Sequence, residues 1–275
     1  MGGQGPLLRE RVSLVIPLFN QLALTRRCLE SLAATTEPFR LVVIDNGSTD
    51  GTRDFFRAFP YPYPLRFIEN DDNRSVIASL NRAWPAAETE LLCFLHNDTE
   101  MVDPGCLAKL VTALDDPTVG MTGLYGAKRV RRDGRFVGRT IVHSLAEGPT
   151  VRPGGEDVAV IDAVCMCLRR RFLEEIGGLD ESYGFYHGLD KDLSLTVRER
   201  GLRCRVVHAP FHHHGGGTRA RDFDRGGERE RRDLALRAAA TERLVAKWGH
   251  RLPSDVRPMA TRVREWCRAR YPWRS

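Results

Sequence analysis

The chain has 275 residues, 42% of them hydrophobic and 28% charged, and a net charge of +6, which suits a globular protein with ample length for a buried core. No stretch approaches the roughly 20 apolar residues that a membrane span requires. Residues 1–11 lack the apolar run of a signal peptide, so a cytoplasmic location is expected.

Residues 12–17 (Val-Ser-Leu-Val-Ile-Pro) predict a strand buried on both faces. A helix follows, with Thr25 as its cap and Cys28, Leu29 and Leu32 at helical spacing. Residues 40–45 (Arg-Leu-Val-Val-Ile-Asp) predict a second buried strand, 46–48 a turn, and Asp50 or Thr52 the start of another helix. Residues 65–69 form a third strand, 73–84 a helix that Pro85 ends, and 91–95 a fourth strand with polar residues at its carboxyl end. Residues 104–116 predict a helix with Pro104 in its first turn. Residues 125–156, rich in Gly, Arg and Pro, read as hairpins or a mobile loop. Residues 158–168 predict a strand and 170–176 a helix that Gly177 and Gly178 stop. A further helix spans 190–200, and the last strand spans 204–208. Beyond three histidines and three glycines at 212–217, residues 218–275 form a separate arginine-rich tail with an amphipathic helix over 228–248.

Strands alternating with helices imply a mainly parallel, Rossmann-like sheet with right-handed crossovers. In such sheets ligands bind beyond the carboxyl ends of the strands. Three polar clusters fall there, Phe19-Asn20, Asp45-Asn46-Gly47-Ser48 and His96-Asn97-Asp98, which points to one shared crevice. No GxGxxG follows the first strand, which argues against a dinucleotide oxidoreductase. The seven cysteines are odd in number and mostly sit in apolar segments, so they predict buried free thiols.

The motifs at 12–20, 42–52, 73–81, 94–100, 177–181, 188–195 and 212–217 occur in register, and together they resemble the family 2 glycosyltransferases of GT-A fold over residues 11–218. The resemblance implies an α/β GT-A domain over 1–217 and a helical C-terminal extension over 218–275. It implies inverting transfer of a hexosyl unit from a UDP- or dTDP-sugar to an acceptor hydroxyl, assisted by Mn²⁺ or Mg²⁺. The setting would be cell-wall, polysaccharide or glycoconjugate biosynthesis in a bacterium.

Residue by residue, the resemblance implies that the Asp45 carboxylate accepts a hydrogen bond from the nucleotide base, a contact that rejects bases lacking the donor. Pro17, Leu18 and Asn20 line the base or ribose; Gly47 lets the backbone approach, with Ser48 beside it. Asn73, Ser75 and Asn81 border the donor. The Asp-x-Asp motif of the family reads His96-Asn97-Asp98 here, so His96 faces the ribose. The metal then rests on Asp98 and a histidine, His213 by register or else His214, with Glu100 as a spare ligand. Asp190, at a helix N-terminus whose dipole keeps a carboxylate ionised, is the expected catalytic base, with Asp192 as the alternative. The family's preceding glutamate is Leu189 here. The stretch Asp162-Ala-Val164-Cys165-Met166 is expected to pass beneath the sugar and acceptor.

Only four of the 42 basic residues are lysines. No Lys/Arg–aromatic motif marks a nucleic-acid binder. Trp248, Trp266 and Trp273 punctuate the basic tail. That pattern suits packing on the catalytic domain, a homodimer contact, or peripheral contact with an anionic inner membrane face where lipid-linked acceptors reside. Carbohydrate and small-molecule glycan acceptors are the other partners expected.

Overall fold

The computed structural model describes residues 10–58, 61–62, 64–139, 154–214 and 227–270. Its spine is an eight-stranded mixed sheet in the order β3-β2-β1-β4-β11-β6-β12-β9. These strands are β1 (Val12–Leu18), β2 (Phe39–Asp45), β3 (Leu65–Glu69), β4 (Leu91–Leu95), β6 (Val119–Gly123), β9 (Gly155–Val158), β11 (Cys165–Arg169) and β12 (Arg203–Val207). The first four run parallel, β11 is antiparallel to both β4 and β6, and β12 is parallel to β6.

Alternation across the strands divides the core into two layers, as a period of two residues requires. Val15, Leu92, Phe94, Met166 and Leu168 point to one face. Leu14, Ile16, Cys93, Leu95, Cys165 and Cys167 point to the other. All are at most 2% exposed, so each large side chain contributes about 1.5–3 kcal/mol of burial. Helices cover both faces: α1 (Leu22–Ala33), α2 (Thr52–Ala58), α3 (Val76–Ala83), α4 (Cys106–Ala113), α5 (Arg170–Ile176) and α6 (Leu189–Glu199).

Several expectations shift in detail. Thr25 does not cap α1, which begins three residues earlier; Asp50 Oδ2 accepts from Leu22 N at 2.9 Å instead. Ser75 is the cap of α3, its hydroxyl accepting from Ile77 N and Ala78 N. The predicted strand over 158–168 is broken: Val158 ends β9, and the rest divides into β10 (Val160–Ile161) and β11, separated where Asp162 makes a turn, its Oδ1 accepting from Val164 N at 3.1 Å. In the Gly-rich region β7 (Gly126–Val130) and β8 (Phe136–Arg139) form a hairpin, while residues 140–153 lie outside the described residues.

The tail adds α7 (Glu228–Trp248), β14 (Ser254–Asp255) and α8 (Met259–Arg270). Glutamates in the first turn and Lys247 in the last suit the dipole of α7. Ala240, Leu244 and Trp248, spaced by four, join the same core as β1 and β4, and β14 extends the β7 sheet. The boundary expected at 217/218 and Trp273 lie outside the described residues. No described helix is long and apolar enough to cross a membrane.

Candidate active site

The carboxyl ends of β2, β1 and β4 lie side by side, because these three strands are adjacent and parallel. Asn20 stitches the first two: its N–H donates to Ser48 Oγ at 2.7 Å and its Oδ1 accepts from Thr49 N at 2.8 Å. Asp45 is fully buried. Its Oδ2 accepts from Gly47 N, Ser48 N and Arg53 Nε at 3.1, 3.0 and 2.8 Å. Its Oδ1 is buried with no hydrogen-bond partner. Gly47 has φ 82°, and a Cβ there would sit 3.0 Å from the Asp72 backbone, so the turn needs glycine. Pro17 is half-buried and Leu18 is in the core.

At the end of β4 the chain turns into β5 (Thr99–Met101), which pairs antiparallel with β13 (Phe211–His213). The register sets His213 against Thr99 and brings it to Asp98. His96, Asp98 and His213 each offer a ligand atom, all within 4.8 Å of one another. His213 Nε2 lies 3.2 Å from Asp98 Oδ1, yet without hydrogen-bond geometry, so Nε2 is a buried nitrogen with no hydrogen-bond partner. His96 Nδ1 lies 4.0 Å from the same oxygen. Burial depresses the His96 pKa, which favours the neutral form; at His213 burial acts the same way, but Asp98 outweighs it and raises the value.

Two expectations about ligands are corrected by strand geometry. Neighbours on a strand point to opposite faces. His214 therefore turns away from the triad, its Nε2 2.5 Å from Glu100 Oε1 and its ring 4.2 Å from that of His212. Glu100 is engaged there and with Arg27 Nε at 3.2 Å, and it is not a spare ligand. His96, expected to face the ribose, is instead the third member of the cluster. Its neighbour Asn97 donates to Thr25 Oγ1 at 2.9 Å, a structural tie. Asn81 is likewise occupied, holding Leu179 through both its amide atoms, and Asn73 is exposed.

Beside this cluster lies a cavity of about 1060 Å³, lined by Asp162, Ala163, the 186–191 segment, the β7–β8 hairpin and one face of α7. Asp190 opens α6 after Gly188, whose φ is 86° and whose absent Cβ would fall 2.4 Å from the Tyr183 ring. Burial first, and the charge of Asp162 second, push the Asp190 carboxyl up to about 6 from its usual 3.8. Asp162 is the shared element: its charge also bears on His96 and His213. It marks the residue that the motifs underweighted, and the signal was a lone carboxylate interrupting an apolar run. Val164, Cys165, Met166 and Leu189 do not line the cavity; their side chains are at most 5% exposed and pack into the core. From that stretch only Asp162 and Ala163 reach the space.

Asp192 is not available as a base. It is 7% exposed, and its Oδ1 accepts from Trp248 Nε1 at 2.7 Å and Tyr183 Oη at 2.9 Å, with Lys247 Nζ 2.9 Å away. Trp248 is thereby a core residue, 6% exposed, in keeping with the expectation that the tail packs on the catalytic domain.

The family model "Glycosyl transferase family 2" matches residues 13–177, which include β1, the Asp45 turn and the His96-Asn97-Asp98 end of β4. The chain belongs to glycosyl transferase family 2. The O-antigen biosynthesis protein RfbC of Myxococcus xanthus is 31% identical over 229 residues, 76% of this chain and 18% of that protein. A PGL/p-HBAD biosynthesis glycosyltransferase of Mycobacterium bovis is 32% identical over 106 residues, 38% of this chain and 41% of that one. The chain thus spans well under two thirds of these curated relatives. Among solved structures, a mannosyltransferase from Pyrobaculum calidifontis, in complex with GDP-Man and Mn²⁺, aligns with a TM-score of 0.53 and 21% identity, over 97% of this chain and 82% of that one. S. aureus TarS in complex with UDP-GlcNAc gives 0.56 and 18%, over 74% and 58%. The fold of this family 2 chain is accordingly the GT-A fold, a mixed sheet flanked by helices.

Proposed function

We propose that this family 2 member is an inverting, metal-assisted glycosyltransferase that moves a hexosyl unit from a UDP- or dTDP-sugar to an acceptor hydroxyl. One observation carries the reading: Asp162 lines the same cavity as Asp190, and the turn it makes is tied to the His96–Asp98–His213 cluster, since Val164 N donates to Asp162 Oδ1 and His96 N donates to the Val164 carbonyl, so the two groups border one site.

Two imidazoles and one carboxylate suit Mn²⁺ better than Mg²⁺, which prefers oxygen ligands. The orphaned His213 Nε2 supports the fit. When bound, the ion would hold the diphosphate and offset charge on the departing nucleotide. Asp45, through its unpartnered Oδ1, reads the base; Pro17, Asn20, Gly47 and Ser48 border the nucleotide. Asp190 takes the proton of the acceptor hydroxyl as that oxygen attacks the anomeric carbon. Its raised pKa makes it a stronger base than an exposed aspartate while leaving it ionised near neutral pH.

The acceptor lies in the cavity beside Asp190 and is a carbohydrate, lipid-linked or small-molecule glycan. Peripheral contact with an anionic membrane surface is supported by α8, where Met259, Val263 and Trp266 are 67%, 50% and 57% exposed on one helical face beside Arg262 and Arg270. A second reading, nucleotide-sugar binding without turnover, is favoured by Leu189, which packs in the core where the family carries a glutamate.

A panel of UDP-, dTDP- and GDP-sugars with and without Mn²⁺ tests the reading. Metal-dependent binding with donor turnover supports it, binding without turnover selects the second reading, and neither result sinks both.

A further inference from the structure

Helix α7 lies beyond the residues matched by the family model, yet Leu234, Arg237 and Thr241 form a wall of the cavity that holds Asp190. Near its start is Asp233, 5% exposed. A buried carboxylate is stable only when its oxygens are paired. Its Oδ1 accepts from the Tyr186 hydroxyl and stands 2.9 Å from His187 Nε2, while Arg237 lies 3.5 Å from Oδ2. Tyr186 and His187 directly precede Gly188 and α6. At the far end of the same helix, Trp248 and Lys247 hold Asp192. Helix α7 therefore grips the segment 186–192 on both sides of Asp190.

The segment needs such a grip. Its entry, residues 185–187, is bracketed by Gly184 and Gly188, both at positive φ (87° and 86°), and glycines widen the range of conformations open to the unrestrained chain. Ordering each backbone residue costs roughly 1–2 kcal/mol of conformational entropy. The Phe185 carbonyl accepts from Val76 N and the Ser75 hydroxyl, tying the entry of the segment to α3, and Lys191 Nζ donates to the Gly134 carbonyl between β7 and β8. Asp233 supplies the tie from α7, next to the turn into α6.

We propose that Asp233 is a positioning residue: by holding Tyr186 and His187 it fixes the entry into α6, and so the aim of Asp190 into the cavity, which makes α7 part of the acceptor half of the site. The inference rests on the reading of Asp190 as the base. A carboxylate that merely fastened α7 to the domain would, when removed, weaken donor binding and turnover together. A positioning residue affects the second alone.

The test uses the full chain with Asp233→Ala and Asp233→Asn, the latter keeping an acceptor oxygen for Tyr186. UDP affinity in the presence of Mn²⁺ should stay within about twofold of the unmodified protein in both variants. Turnover of the UDP- or dTDP-sugar should fall roughly tenfold to a hundredfold in Asp233→Ala, the scale of a small misplacement of a catalytic group, and less in Asp233→Asn. Turnover unchanged in Asp233→Ala, or UDP affinity and turnover lost in proportion in both variants, would overturn the proposal. If the unmodified protein turns over no sugar nucleotide, the functional reading fails by itself. The inference is then decided by carbon-13 titration of the Asp190 carboxyl in the unmodified protein and in Asp233→Ala: an unchanged value overturns it, and a fall toward 3.8, as the loosened segment admits water, supports it.

Discussion

His213 Nε2 stands 3.2 Å from Asp98 Oδ1 because two three-residue strands, β5 and β13, pair antiparallel at the edge of the site. Residues 115 positions apart in the chain are thereby brought into one donor set with His96. Removing a ligand should cost more than the roughly 10- to 100-fold that loss of an outer-shell partner costs in metal affinity. Asp98→Ala and His213→Ala should therefore abolish the Mn²⁺-dependent part of UDP binding. His214→Ala should leave it intact, since His214 bonds Glu100 on the opposite face. Calorimetric titration of UDP with and without Mn²⁺ checks all three; an effect of His214→Ala equal to that of His213→Ala would contradict the assignment.

The pKa of Asp190, raised to about 6 by burial and by Asp162, has consequences of opposite sign for activity and stability. As the proposed base it must be ionised, so the turnover rate should climb with pH and level off above about 6. For stability, the folded protein holds this proton more tightly than the unfolded chain. Folding is therefore not penalised below pH 3.8, and the penalty grows as pH rises through about 6. Asp190→Asn should stop transfer yet raise stability at pH 8 by about 1–3 kcal/mol. Denaturant unfolding at pH 5 and pH 8 reads the difference, and a variant destabilised at pH 8 would refute it.

Much of the fold was legible because its central strands are continuous apolar runs. Leu65–Glu69 and Leu91–Leu95 have the bounds that their composition predicts, as does helix Glu228–Trp248. The pairing of β5 with β13 was not legible, since Thr-Glu-Met and Phe-His-His carry no hydrophobic period. That pairing alone decides which histidine meets Asp98. Asp190 is the expected base and Asp192 its alternative, both carboxylates in the first turn of one helix. A helix turns about 100° per residue, so two positions separate their directions widely, and only the docking of α7 shows which one is consumed. The burial of Cys165 and Met166 follows from β11 being wedged between β4 and β6, in keeping with the apolar run that contains them.

Asp192 and Trp248 should then behave as a structural pair. Removing one partner of a buried, hydrogen-bonded carboxylate leaves uncompensated polar groups, at about 3–5 kcal/mol. Asp192→Ala should lower the melting temperature sharply, while Trp248→Phe, losing the indole N–H and some packing, should cost about 1–3 kcal/mol. Neither should shift the pH midpoint of the remaining turnover. A displaced midpoint in Asp192→Asn would return Asp192 to candidacy as a base.

Base selectivity is the sharpest test of Asp45. Its Oδ2 is committed to Gly47 N, Ser48 N and Arg53, and this side of the carboxylate organises the turn whether or not a nucleotide is present. Its Oδ1 is buried without a partner, a position that costs about 1–3 kcal/mol until a donor arrives. Uracil and thymine carry an N3–H that can serve; cytosine offers no donor at that nitrogen. A site built on such a contact rejects the analogue that lacks it by far more than a hydrophobic pocket rejects a missing methylene. UDP and dTDP should therefore bind at least roughly 100-fold tighter than CDP in the presence of Mn²⁺. Asp45→Ala should erase that preference and also loosen the 46–48 turn, so the ratio of affinities, rather than affinity itself, is the measurement that separates base reading from turn building. Equal binding of UDP and CDP to the unmodified protein would leave Asp45 as a turn residue alone.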